Sequence, residues 1–184
     1  MHVGLLYVVT KTPKPVLYLM PSDQSARQIS KERIQPMMRA SAEVSKILPD
    51  NPDNFSILTY QLKTTNVHLG GAGSASKLAS FPCAVVCFDE CDKAEVRNKN
   101  EAGAIQLASN RVKAYGSSKL FVLASTPTID NGAETITHHL KQSTFKTYRV
   151  PCPSCGELAE IGFAKGEEKF SVQWDKKLTG GVTI

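Results

Sequence analysis

The sequence predicts an α/β fold built on a mainly parallel sheet. Short, wholly apolar runs such as VLYLM (Val16 to Met20) and CAVVCF (Cys83 to Phe88) alternate with helix-like segments. Strands without polar alternation are those covered on both faces, the condition of a parallel sheet flanked by helices. The 184 residues, 41% hydrophobic and 21% charged, are ordinary for a soluble globular chain and suffice for a core.

Along the chain, the opening MHVGLLYVVTKTPKP has a short apolar piece but no basic n-region or small-residue cleavage site, so it reads as a helix or strand of the fold. Pro13 and Pro15 punctuate it, and Val16 to Met20 then reads as a buried strand closed by Pro21-Ser22. Ser22 is a candidate N-cap, with Asp23 in the first helical turn. Ala26, Ile29, Ile34, Met37 and Met38 give that helix an apolar face, which Pro36 should bend or interrupt. Leu48 to Asn54 reads as loop. FSILTYQL and VHLGG then read as two short strands, compatible with a hairpin, and GAGSASKLAS as a Gly/Ser loop or short capped helix. Cys83 to Phe88 reads as a central parallel strand and residues 101–115 as a helix. Lys119 to Ser125 reads as another buried strand, ended by Thr126-Pro127-Thr128. A helix is expected within residues 132–142 and a strand from Phe145 to Val150. The expected organisation is an α/β domain over residues 1–150 and a cysteine-knuckle region over 151–184.

A net charge of +5 and a pI near 8.9 mildly favour an acidic partner such as nucleic acid, although the charge is spread along the chain. No apolar run approaches the roughly 18 residues of a membrane span, so no membrane association is expected. Five cysteines, an odd number, do not suggest a secreted disulfide framework and point to the cytoplasm.

The sharpest chemistry lies in VVCFDECD, where an apolar strand runs into Asp89 and Glu90. In open α/β sheets ligands bind beyond the carboxyl ends of strands. Four apolar residues followed by Asp-Glu is the Walker B pattern of nucleotide hydrolases: the first carboxylate holds Mg²⁺ and the second orients attacking water. A solvated strand end is the plain alternative. LASTPT (Leu123 to Thr128) places Ser125 and Thr126 at the end of a neighbouring strand, where hydroxyls can sense a γ-phosphate. Here the plain alternative is a Ser/Thr turn before proline. One helix and one strand separate the two motifs, as in RecA-type motors.

The order of these segments resembles the ATPase domain of phage terminase large subunits, particularly the lambda-type family. The likeness rests on VLYLMPSDQSARQISKERIQPMMRAS, LGGAGSASKLAS, VVCFDECD, EAGAIQLASNRV, LASTPT and YRVPCPSCGE, from about Val16 to Glu157. It implies a partial P-loop NTPase (RecA-like) fold that uses ATP and Mg²⁺, with Asp89 as the Mg²⁺ carboxylate, Glu90 as the catalytic one, and Ser125 and Thr126 in the coupling motif. It also implies a motor that drives double-stranded DNA into a procapsid in the host cytoplasm. The implied partners are a terminase small subunit, the procapsid portal and further copies of the chain, and a separate nuclease domain is expected. One departure stands out: no glycine-rich phosphate loop ending in Lys and a hydroxyl residue precedes Val16. Thr10 to Pro15 holds a Lys-Thr pair without that loop, and Gly4 stands alone. The expectation is therefore a fragment, beginning inside the helix that follows the phosphate loop and inactive by itself. Two alternatives stay open: a helicase-like translocase, because Asp-Glu-Cys-Asp is a DExD box, and a non-catalytic zinc-ribbon adaptor remnant.

CPSCG offers Cys152 and Cys155 as two zinc ligands, half of a four-ligand Zn²⁺ site, or else a tight turn with two reduced thiols. The resemblance favours the half-site, at the start of a zinc-ribbon-like region with KFSVQW as a following strand. Cys83, Cys87 and Cys91 read as small buried residues. His138 and His139 point to different faces, His68 receives no role, and Lys77 and Arg111 could contact phosphate or DNA but read first as solvated surface charges.

Overall fold

In this computed structural model, residues 1–73, 81–94, 103–128, 135–144, 146–160, 173–174 and 182–183 are described. Helix α1 (His2–Lys11) buries Leu5, Val8 and Val9, the i, i+3, i+4 spacing that settles the opening segment as helix and not strand. Strand β1 (Val16–Met20) is buried along its whole length, as its unbroken apolar run requires. It pairs in parallel with β3 (Asn66–Gly71) on one side and β4 (Val85–Asp89) on the other. The short β2 (Thr59–Gln61) closes a hairpin against β3, and β5 (Leu120–Ala124) lies parallel to β4. The order is β2-β3-β1-β4-β5, with β2 the antiparallel member.

Successive residues of β1 serve opposite faces of the sheet. Val16, Tyr18 and Met20 join α1 and the helical segment from Asp23 to Ala40 in one core, whereas Leu17 and Leu19 join Val86, Phe88, Ile105 and Ala108 in the other. Helix α2 (Asp23–Ile29) starts as expected, with Ser22 Oγ accepting from the Ser25 amide at 3.1 Å. Gly71, at the end of β3, lies so close to this turn that a Cβ there would sit 2.2 Å from the Asp23 nitrogen. Its amide donates to Asp23 Oδ1 at 2.8 Å, tying β3 to the start of α2.

Pro36 does not end the helix. The chain passes through one π-helical turn (Ser30–Ile34) into α3 (Gln35–Ala40), and the wider turn accommodates the residue that lacks an amide hydrogen. Ser30, fully buried in that turn, donates to the Ile57 carbonyl and meets Tyr60 OH at 2.6 Å. A one-turn helix, α4 (Ala42–Ser45), follows. On the other face, the helix expected over residues 101–115 is shorter: α5 (Ala104–Arg111) gives way to 3₁₀ turns from Lys113 to Ser118, with Gly116 at φ 51°.

Two expected strands are corrected. Lys119 to Ser125 contains a strand but not a buried one: β5 is an edge of the described sheet, with Leu120 46% exposed and Phe121 to Ala124 half-buried, because it pairs with β4 alone. Phe145 lies outside the described residues, residues 146–149 are not in a strand, and Tyr148 is 87% exposed. Pairing begins only at β6 (Val150–Pro151), against β7 (Leu158–Ala159). Two further residue pairs, β8 (Gln173–Trp174) and β9 (Val182–Thr183), are antiparallel. Helix α6 (Ile136–Lys141) falls within the expected range. The chain divides into two compact units, Met1–Lys141 and Gln142–Ile184. No described helix is long and apolar enough to cross a membrane.

Candidate functional site

Strand β4 carries Asp89 to the carboxyl edge of the sheet, between β1 and β5. Neighbours on both sides hold β4 in place and fix where the carboxylate emerges. Asp89 Oδ2 accepts a 2.7 Å hydrogen bond from Tyr18 OH, and Tyr18 on β1 is fully buried. Burial, then the bond to Asp89, pushes the Tyr18 phenol far above its ordinary range, so Tyr18 remains a donor. Among the described residues Asp89 Oδ1 has no hydrogen-bond partner.

The first turn of α1 reaches this edge. The His2 ring stacks on Tyr18, with centroids 5.9 Å apart and planes at 21°. Burial lowers the His2 pKa, against the opposing pull of Asp89, and its Nε2 is shielded without a hydrogen-bond partner among the described residues.

Glu90 is the one described non-glycine residue with positive φ, at φ 55° and ψ 39°. A left-handed residue of this type costs about 1–3 kcal/mol, and such strain concentrates at functional sites. The conformation ends the strand abruptly and starts the 3₁₀ turn Cys91–Lys93, pinned by the buried Cys91. Glu90 Oε2 lies 2.7 Å from Lys93 Nζ; the contact is ionic, since this oxygen has no hydrogen bond of good geometry among the described residues.

Asp92 carries most of the local hydrogen bonding. Its amide donates to Ser125 Oγ at 3.1 Å. Its carboxylate accepts from the Thr128 amide at 3.3 Å through Oδ2 and from the Ile136 amide at 2.6 Å through Oδ1. Ser125 Oγ in turn donates to the Thr126 carbonyl at 3.2 Å. The structure thus brings together Asp89, Glu90 and Ser125, whereas the Thr126 side chain is exposed. Sequence reasoning missed Tyr18 and His2, and it gave Asp92 no role beyond the last position of the DExD pattern. A tyrosine inside an otherwise apolar buried strand was the available signal for the first, because a buried phenol needs a polar partner.

Cys152 and Cys155 lie in the second unit, on a tight turn. The Cys152 amide donates to the Glu157 carbonyl at 2.9 Å, the Gly156 amide donates back to the Cys152 carbonyl at 2.8 Å, and Gly156 takes φ 73°. Hydrogen bonds from the Cys155 and Ser154 amides lower the Cys152 thiol pKa. Among the described residues no group of three or more His, Cys, Asp or Glu side chains could hold a metal ion. His138 and His139 meet edge to face in α6, and His68 stacks on Phe81 at 4.0 Å. Arg111 is half-buried, and Lys77 lies outside the described residues.

Comparison with known proteins identifies the family of the chain. The family model for the phage terminase large subunit gpA, ATPase domain, matches residues 1–180. The terminase large subunit of Enterobacteria phage P21 is 24% identical over 174 residues, which is 92% of this chain and 27% of that protein. A solved large terminase from a thermophilic bacteriophage matches 67% of this chain and 28% of its own at 14% identity, with a TM-score of 0.44, too low to carry functional detail. The match across nearly the whole sequence identifies the chain as a member of the phage terminase large subunit gpA family, within its ATPase domain.

Proposed function

We propose that this chain supplies the carboxylate side of the ATP-hydrolysing site of a terminase large subunit that drives double-stranded DNA into a procapsid, the phosphate loop lying elsewhere in the intact protein. The observation that carries the reading is the carboxyl edge of the sheet, where Asp89, Glu90 and the first turn of α1 converge.

Asp89 fits a magnesium ligand: it is half-buried, with one oxygen held by Tyr18 and the other unpaired among the described residues, and Mg²⁺ takes few carboxylates while keeping its waters. When bound, the ion neutralises charge on the β- and γ-phosphates. Tyr18 fixes the orientation of that carboxylate from a fully buried position. Glu90, adjacent and turned off the strand, orients the attacking water and accepts its proton, while Lys93 fixes where its carboxylate sits. Ser125, bonded to the Asp92 amide, passes loss of the γ-phosphate to the segment through Thr126.

The chain spans 27% of the phage P21 terminase large subunit, so the activities of the whole protein are part of this proposal. They comprise DNA translocation by a homo-oligomer, a nuclease elsewhere in the polypeptide, docking to a small subunit and to the procapsid portal, and action in the host cytoplasm. Cys152 and Cys155 supply half of a zinc site there, with thiolate ligands suited to Zn²⁺.

Glu90→Gln in the full-length protein tests the reading. ATP binding should persist while turnover falls about 10²–10⁴-fold, the usual contribution of a general base. Unchanged turnover would remove Glu90 from the mechanism.

A further inference from the structure

We propose that Asp92 is the positioning residue that carries the state of the Asp89–Glu90 pair to the Ser125–Thr128 segment and to helix α6. The inference rests on the ATPase reading above and adds to it a residue and a route.

Three bonds define the route. The Asp92 amide reaches Ser125 Oγ, and its two carboxylate oxygens take the amides of Thr128 and Ile136, residues 36 and 44 positions further along. A carboxylate accepting backbone amides makes charge-assisted bonds, roughly twice as strong as neutral ones. It also offers an acceptor to each amide at once, which a single carbonyl oxygen does not do in this geometry.

The link to the carboxylate pair is equally direct. Asp92 is the middle residue of the 3₁₀ turn whose N-cap is Glu90. That turn is closed by bonds from the Lys93 amide to the Glu90 carbonyl at 3.0 Å and from the Ala94 amide to the Cys91 carbonyl at 3.1 Å. Cys91, only 3% exposed, anchors it in the core. A rotation at Glu90 therefore moves the turn as a unit, and Asp92 carries the movement to the end of β5 and the first residue of α6. The αL conformation of Glu90 is where such a rotation is least costly, because relaxing it releases strain.

The test is hydrogen exchange in the full-length protein, read in peptides covering Thr128 and Ile136, with and without magnesium and a non-hydrolysable ATP analogue. In the wild type, adding the analogue should change exchange in both peptides. Asp92→Asn removes one acceptor oxygen at nearly constant shape. It should speed exchange at one or both amides about tenfold and abolish the response to the analogue, while the analogue still binds within about threefold. A response that persists in Asp92→Asn overturns the role of Asp92 and leaves the ATPase reading standing. Failure of the wild type to bind the analogue overturns the ATPase reading, and this inference with it. Should Asp92→Asn not fold, Ser125→Ala removes the acceptor of the Asp92 amide; it should at least halve the response at Ile136, and an undiminished response overturns the proposal.

Discussion

The carboxyl end of β4 and the Cys152–Gly156 turn both present side chains of metal-binding type, yet they are held by different kinds of contact. At the end of β4 the partners are distant in sequence: Tyr18 lies 71 residues before Asp89, and Ser125, Thr128 and Ile136 lie 33 to 44 residues after Asp92. In the Cys152–Gly156 turn the bonds close within five residues, from Cys152 to Glu157 and back from Gly156. The first site takes its geometry from a packed sheet and loses it when the sheet is disturbed. The second is set by local turn chemistry and needs little from the rest of the chain.

The strongest challenge to this contrast is Gly71→Ala. A Cβ 2.2 Å from the Asp23 nitrogen meets backbone, which yields only by moving β3 or the start of α2. We expect about 3 kcal/mol of destabilisation of the Met1–Lys141 unit, at the upper end for overpacking, read as a lower denaturant midpoint. An unchanged midpoint would mean that the edge of the sheet tolerates displacement, and the precision claimed for the end of β4 would fall with it. Tyr18→Phe should cost less, about 1 kcal/mol, because the half-exposed Asp89 regains water in place of the phenol. A variant as stable as the wild type would show that the bond to Asp89 contributes nothing net.

The smallest effect belongs to the turn. Cys152→Ser should leave unfolding of the Met1–Lys141 unit within about 0.5 kcal/mol of wild type, as for a surface substitution away from any core. Thiol labelling separates the two regions in one measurement. Cys83, Cys87 and Cys91 are buried, with burial pushing each thiol up to about 11, whereas Cys155 is exposed and Cys152 partly so. At about pH 8, close to the ordinary thiol range, two thiols should react in the native protein and five after denaturation. Fast labelling of a third would show that the β4 core opens readily.

Much of this architecture is legible in the residues themselves. The apolar runs at Val16–Met20 and Val85–Asp89 are paired on both sides, as runs without alternation should be, and Ser22 caps its helix. The pattern that placed Asp89 at a strand end needs only local information. Local pattern failed where partners decide. Lys119 to Ser125 has the composition of a central strand but pairs with β4 alone, and an apolar run says nothing about how many neighbours it has. Pro36 signalled a break, and the π turn before it absorbed the problem because Ser30 is held by Ile57 and Tyr60.

The sequence by itself determined the buried strands at Val16–Met20 and Val85–Asp89, the Ser22 cap and the carboxylates at the end of β4, because hydrophobic period and side-chain type act over a few positions. Only the tertiary structure decided that Tyr18 holds Asp89, that Glu90 turns left-handed, and that Asp92 bonds to both the Ser125–Thr128 segment and α6. Such contacts depend on strand order and register, which emerge only when distant parts of the chain pack together and each buried polar group has to find a partner.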